Sequence, residues 1–146
     1  LKMIKIIGVG TIKEEYIKKA INLKIATIQH HQKIEIISVN DEKCPENLSE
    51  KEKAEVKRKE GEKILRFIKD EDYVVALTLE GPAFEQNKFK KQLQQDRLCF
   101  IIGGSLGLAP AVIQRANQEL SFGAMTYPHQ LMRWVLLEQI ATALIE

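Results

Sequence analysis

Ile101-Ile-Gly-Gly-Ser-Leu-Gly-Leu-Ala-Pro110 and, a little further on, Leu120-Ser-Phe-Gly-Ala-Met-Thr-Tyr-Pro-His129 decide how this chain is read. Each run begins with apolar residues that suit a short strand, passes through a glycine-bearing turn and ends on a helix-start signal. Glycine lets main chain approach a ligand closely, and a helix N-terminus offers unpaired N–H groups. Strand, glycine turn and helix in succession mark a parallel α/β sheet. Two such turns side by side would wall a small-molecule pocket with backbone.

The same alternation extends outward from this stretch. Met3 to Val9 predicts a strand closed by Gly8-Val9-Gly10, which reads as a tight turn after the strand. Apolar residues at Tyr16, Ile17, Ala20, Ile21, Ile25 and Ile28 keep the period of an amphipathic helix over Lys13–Gln29. Ile34 to Val39 predicts a second strand, followed by a loop to Leu48. Ser49 with Glu52 has the capping-box form, and a helix is expected from there to about Lys69. Gly61 inside that helix points to close packing against another element. Tyr73 to Leu79 predicts a strand apolar on both faces except at Thr78, as at the centre of a parallel sheet. A short helix near Asn87–Gln95, a strand over Leu98–Ile102, a helix opened by Pro110, a brief strand at Leu120–Phe122 and a last helix opened by Pro128 complete the pattern. The expected fold is α/β, a mostly parallel sheet with helices on both faces, in a single domain spanning residues 1–146.

Composition bounds the function without naming it. An apolar fraction of 45% and a charged fraction of 29% are those of an ordinary globular domain. No apolar run approaches the roughly 20 residues that cross a bilayer, which makes the cytoplasm the expected location and a membrane partner unexpected. Cys44 and Cys99 stand far apart, so neither a disulfide nor a metal site is expected. With a net charge of +2, the molecule as a whole attracts nucleic acid only weakly. Lys51 to Lys69 nevertheless carries eight Lys or Arg against four Glu. That segment is either a solvated helix face or a basic edge that meets phosphates. The final helix, from Leu131 to Ile145, is apolar nearly all the way round, and a helix of that kind must be covered on several sides. A second copy of the chain is the economical cover, so a homodimer built on this helix is expected.

In open α/β sheets ligands collect outside the carboxyl ends of the strands. Three such ends here carry suitable turns: Leu79-Glu80-Gly81, Ile102-Gly103-Gly104 and Phe122-Gly123 through Tyr127. Leu77, Leu79, Leu108 and Met125 would supply apolar walls that suit an adenine ring better than a triphosphate. The phosphate loop of kinases and GTPases and the glycine pattern of dehydrogenases are both missing from the sequence. His129 and Arg133, four apart on one helix, are either a polar pair at the pocket mouth or a structural pair closing the helix start. Glu138 is the carboxylate inside the apolar helix and needs a partner, an Arg, a main-chain N–H or a donor of a second copy of the chain. Ser105 lacks the nucleophile-elbow pattern, and His30-His31 point in different directions, so neither predicts a catalytic or metal centre.

The runs Phe100-Ile-Ile-Gly-Gly-Ser-Leu-Gly-Leu108, Leu120 through Arg133 and Leu136-Leu-Glu-Gln139 resemble the RlmH (YbeA-type) ribosomal RNA methyltransferases of the SPOUT superfamily. Ile6-Ile-Gly-Val-Gly10 and Lys59-Glu-Gly-Glu62 are similar too, so the resemblance covers essentially the whole chain. It implies a sheet whose C-terminal part is tied in a trefoil knot, an exception among folds. It also implies a homodimer that uses S-adenosylmethionine to methylate N3 of a pseudouridine in 23S rRNA, free or in the assembled ribosome. Carried over position by position, cofactor contacts fall at Leu77, Gly103, Phe122, Gly123, Ala124, Met125, Thr126 and Tyr127. His129 and Arg133 are the catalytic candidates, and no metal is implied. On this reading the space beside Gly103 belongs to the cofactor. Three departures stand out. Ala141-Thr142-Ala143 replaces a Tyr-Arg-Ala stretch, and the sequence stops at Glu146 where the family continues into a Tyr-His tail. Pro82 takes the place of a common Lys, and Leu1-Lys2 precede what reads as the natural start at Met3. The missing tail implies an alternative: a weakened dimer that keeps cofactor and ribosome binding.

Overall fold

Side chains on successive strand residues point to opposite faces, and here both faces are apolar. The computed structural model describes residues 3–43, 45–123 and 129–145, apart from the side chains of residues 129 and 130. Strands β1 (Met3–Val9), β2 (Lys33–Val39), β3 (Tyr73–Leu77), β4 (Arg97–Ile102) and β5 (Gln118–Leu120) form one sheet in the order β2-β1-β4-β3-β5, every neighbouring pair parallel. Helices α1 (Glu15–Gln29), α2 (Glu50–Leu65), α3 (Gln86–Gln92), α4 (Pro110–Arg115) and α5 (His129–Ile145) connect and cover it. Ile4, Ile6, Val75, Leu98 and Phe100 face one core with residues of α1, α3 and α5. Ile7, Val9, Val74, Ala76, Cys99 and Ile101 face the other with residues of α2 and α4. The expected α/β class and parallel sheet are what the structure shows.

Local chemistry explains where the elements end. At α2 the Ser49 hydroxyl accepts from the Glu52 amide and the Glu52 carboxylate accepts from the Ser49 amide, the expected capping box. The helix stops at Leu65 rather than Lys69. Buried Lys5 reaches across from β1 to donate to the Phe67 carbonyl and to pair with Asp72 at 3.1 Å, which holds the chain in turns. Arg97 joins Asp72 at 3.1 Å from β4, and Arg115 donates to the Lys69 and Asp72 carbonyls. Strand β3 ends at Leu77 rather than Leu79. The Thr78 hydroxyl donates to the Glu119 carboxylate and accepts from the Gly81 amide, so the chain turns and leaves Leu79 exposed. Strand β5 lies two residues earlier than expected. The Thr78 amide donates to the Leu120 carbonyl, and Ser121 then pairs with the 82–84 segment through the Pro82 carbonyl and the Phe84 amide. Phe122 is thereby released toward the carboxyl edge of the sheet.

Gly61 packs as expected. A Cβ there would lie 3.1 Å from the Ala109 Cβ and 3.2 Å from the Val112 Cγ2, so α2 sits against α4 at glycine distance. Helix α5 buries Leu136, Leu137, Ile140 and Ala141 on its own chain, while Leu131, Met132, Trp134 and Leu144 are only half-buried. On neighbouring α1, Tyr16 and Leu23 are 65% and 70% exposed. The chain thus covers one side of the apolar helix. The trefoil knot depends on the path between Gly123 and His129, which lies outside the described residues.

Candidate cofactor cleft

The carboxyl ends of β3, β4 and β5 open on one cleft of about 680 Å³. Leu77 through Glu80 form one wall, Ile102 through Leu108 a second, and Leu120, Phe122 and Gly123 a third. Met132 of α5, Pro110 and Ile113 of α4 and Lys57 of α2 complete it. The three turns singled out from the sequence therefore meet, and Leu77, Gly103, Phe122 and Gly123 line the same space. Ala124, Met125, Thr126, Tyr127 and the expected helix opening at Pro128 lie outside the described residues, as do Cys44 and the His129 side chain.

The glycines of this cleft do different jobs. Gly107 and Gly123 have φ of +86° and +128°, and a Cβ on either would project into open space. Both glycines line the cleft and carry no side chain, so a flat ring that approaches them meets backbone. Gly103 is different. A Cβ there would lie 2.9 Å from the Gly107 carbonyl carbon and 3.0 Å from Leu108 Cδ2. The expectation that its space belongs to a ligand is corrected: the fold of the 103–108 loop takes that space, which is closed by the Gly107 amide on the Gly104 carbonyl at 3.1 Å. Gly104 in turn sits on Glu60, whose carboxylate would be 3.2 Å from its Cβ. Glu60 is 4% exposed, and its carboxyl accepts from the Glu42 amide at 2.9 Å. Burial raises its pKa above the ordinary range; the Glu42 amide opposes this only in part. Sequence reasoning noticed Lys59-Glu-Gly-Glu62 but not that its carboxylate props the cleft loop. Lys57 and Glu80 are the charged residues of the described lining, one of each sign, and Lys57 was missed because it belongs to a distant helix.

Arg133 does not stand at the mouth of this cleft. It is 5% exposed and points to the other side of α5, where it donates to the Ser38 hydroxyl at 2.9 Å and to the Gly10 carbonyl. Its guanidinium lies so close to β1 that a Cβ on Gly8 would be 2.5 Å from Nε. Gly8 thus makes room for Arg133, while Gly10, at φ +87°, takes the turn and offers its carbonyl. The Gly-Val-Gly run is a socket for this arginine as well as a turn. Glu138, expected to meet an arginine, a main-chain N–H or a donor of a second copy, is half-exposed and within its own chain accepts from Trp134 Nε1 at 3.1 Å beside Lys24 at 3.2 Å. Cys99 is buried in β4, and burial pushes its thiol up to about 12, so it is inert packing. Among the described residues no His, Cys, Asp and Glu cluster could hold a metal, and no helix is long and apolar enough to cross a membrane.

Comparison with known proteins agrees with this geometry. A family model described as a predicted SPOUT methyltransferase matches residues 3–144. The ribosomal RNA large subunit methyltransferase H of Lacticaseibacillus casei is 50% identical over an alignment covering 96% of this chain and 92% of the relative. Its namesake in Enterococcus faecalis is 48% identical, covering 94% of this chain and 90% of the relative. The Ligilactobacillus salivarius protein of the same name is 50% identical, again covering 94% of this chain and 90% of the relative.

Proposed function

We propose, from the premise that this chain belongs to the SPOUT methyltransferase family, that it transfers a methyl group from S-adenosylmethionine to N3 of a pseudouridine in large-subunit ribosomal RNA. The observation that carries the reading is the likeness, over nearly the whole chain, to proteins named for methylating that RNA. The cleft supports it independently. Its described lining is apolar at Leu77, Leu79, Ile113, Leu120 and Met132, with bare backbone at Gly107 and Gly123. That suits an adenine ring and a thioether chain, and a single Lys is too little cation for a triphosphate.

S-adenosylmethionine supplies, when bound, a sulfonium methyl that is already activated. The chain's own task is then alignment and exclusion of water. Leu77, Gly107 and Phe122 would hold the purine, and the 103–108 loop, propped from below by Glu60, would keep its backbone still. The RNA base must be accessible, in a loop or turned out of its stack, to reach the cleft. The second copy of the chain would complete the cover of α5, and the enzyme works in the cytoplasm as a homodimer on rRNA, free or in the ribosome.

The test is transfer of labelled methyl from S-adenosylmethionine to large ribosomal subunits that lack the modification. Incorporation at N3 of a pseudouridine is the expected result; incorporation elsewhere, or none, rejects the reading. Ser105 lines the cleft and is exposed, so Ser105→Trp fills the space without disturbing the fold. In calorimetry it should weaken S-adenosylmethionine by about tenfold or more, with a melting temperature within about 2 °C of the parent. Unchanged affinity would place the cofactor elsewhere.

A further inference from the structure

A second cavity of about 720 Å³ opens at the same end of the sheet, beyond the carboxyl ends of β1 and β2. Thr11, Lys13, Lys18, Asn22, Ser38 and Arg133 give it its polar lining. Three of these are cations, of which Lys13 has an interaction of its own, and the described lining includes no carboxylate. Lys18 meets Glu15 outside it at 3.5 Å, an exposed pair of the weak kind. Arg133 is the informative member. Its guanidinium is taken out of water, yet its hydrogen bonds to Ser38 and Gly10 go to neutral oxygens. A desolvated charge held only by neutral acceptors is expensive, and an anion entering beside it would relieve that cost. The planar fork of arginine, with lysines around it, suits the oxygens of a phosphate.

The placement says whose phosphate. Met132 lines the cofactor cleft and Arg133, the next residue of α5, lines this cavity. The two spaces are therefore divided by the first turns of one helix. β2, whose Ser38 lines this cavity, and β3, whose Leu77 lines the cleft, stand three strand spacings apart with β1 and β4 between them, about 14 Å on ordinary sheet spacing. That is within the reach of a short stretch of one extended RNA strand. We propose that the Arg133 cavity is a phosphate site that grips the backbone of the RNA strand beside the nucleotide whose base enters the cleft. The site depends on the methyltransferase reading for its substrate, but not for the anion itself.

Arg133 ties β1 to α5, so the test spares it and removes the rim charges with Lys13→Gln and Lys18→Gln together. The probe is a single-stranded oligouridylate of about 12 nucleotides, titrated over a range of salt. The double variant should bind it about five- to tenfold more weakly than the parent near 0.1 M salt. The slope of log affinity against log salt should shrink by about 0.7 for each phosphate that the variant no longer neutralises. Lys33→Gln with Lys69→Gln removes the same charge at the opposite end of the strands and should change affinity about twofold or less. Equal losses in the two double variants, unchanged binding in the first, or a parent that does not bind the oligonucleotide would overturn the site. Methyl transfer by the parent is scored separately. If it is missing while the binding pattern holds, the proposed activity fails and the phosphate site stands.

Discussion

Arg133 shows how much a single residue can organise. Buried beside Gly8 and bonded to Gly10 and Ser38, it links α5, β1 and β2 through one guanidinium. Burial lowers its pKa, yet an arginine starts so high that it stays charged at any working pH. The link predicts a coupling. Gly8→Ala places a methyl at 2.5 Å from Nε and must displace a pinned side chain, at a cost of about 2–3 kcal/mol in urea unfolding. In an Arg133→Met background the same change should cost about 1 kcal/mol less, because its clash partner is gone. Strict additivity of the two changes would refute the socket. The pattern Gly-Val-Gly was visible in the sequence; its partner, more than a hundred residues away, was not.

At the scale of elements, the joints are ionic on the end of the sheet away from the cleft. Asp72 receives Lys5 from β1 and Arg97 from β4 and accepts from the Lys69 amide at 2.9 Å. Burial alone would raise its pKa; the Lys69 amide, Lys5 and Arg97 more than offset this and hold it below the ordinary value. A carboxyl lowered by folding adds stability above its unfolded pKa of about 3.9, and that share is lost as pH falls through the folded value. Asp72→Asn leaves buried Lys5 without its counter-charge and should cost about 3–5 kcal/mol at pH 7. The gap between variant and parent should narrow from about pH 5 downward in urea unfolding, since the parent's own carboxyl is then being neutralised. A gap that stays constant to the acid limit would mean that Asp72 acts through its shape alone. The strand and helix patterns predicted these elements well, and the boundaries moved where side chains such as Thr78 and Lys5 took over main-chain partners.

At the scale of the whole molecule, the described residues leave an apolar surface uncovered. Tyr16 and Leu23 stand two turns apart on α1 and are largely exposed, next to an α5 whose Trp134 and Leu144 are half-buried. A self-complementary contact across this layer is the proposed dimer, and it makes a direct prediction. The parent should sediment as a dimer, and Leu23→Glu, at a position 70% exposed in one chain, should sediment as a folded monomer. A parent that is monomeric at micromolar concentration, or a variant that stays dimeric, would remove α1 from the interface. Both cavities lie toward the carboxyl end of the sheet, so a dimer built on this layer would keep the proposed cofactor and RNA surfaces on a common side of each chain.

Periodicity, caps and glycine turns are local signals, and they were enough for the parallel α/β class, the capping box at Ser49 and the tight seat of Gly61. They also picked out Leu77, Gly103, Phe122 and Gly123 as residues of one cleft, because strand ends in a parallel sheet gather on one edge by geometry. Tertiary packing alone decided what each residue does there. Gly103 serves the turn back to Gly107, Glu60 packs against Gly104 of the cleft loop and Lys57 lines the cleft from the same helix far away in sequence, and Arg133 faces a second cavity. Local patterns are set by neighbours along the chain, whereas a side chain's role is set by what the fold brings against it. For this protein those contacts join residues too far apart for any spacing rule to connect.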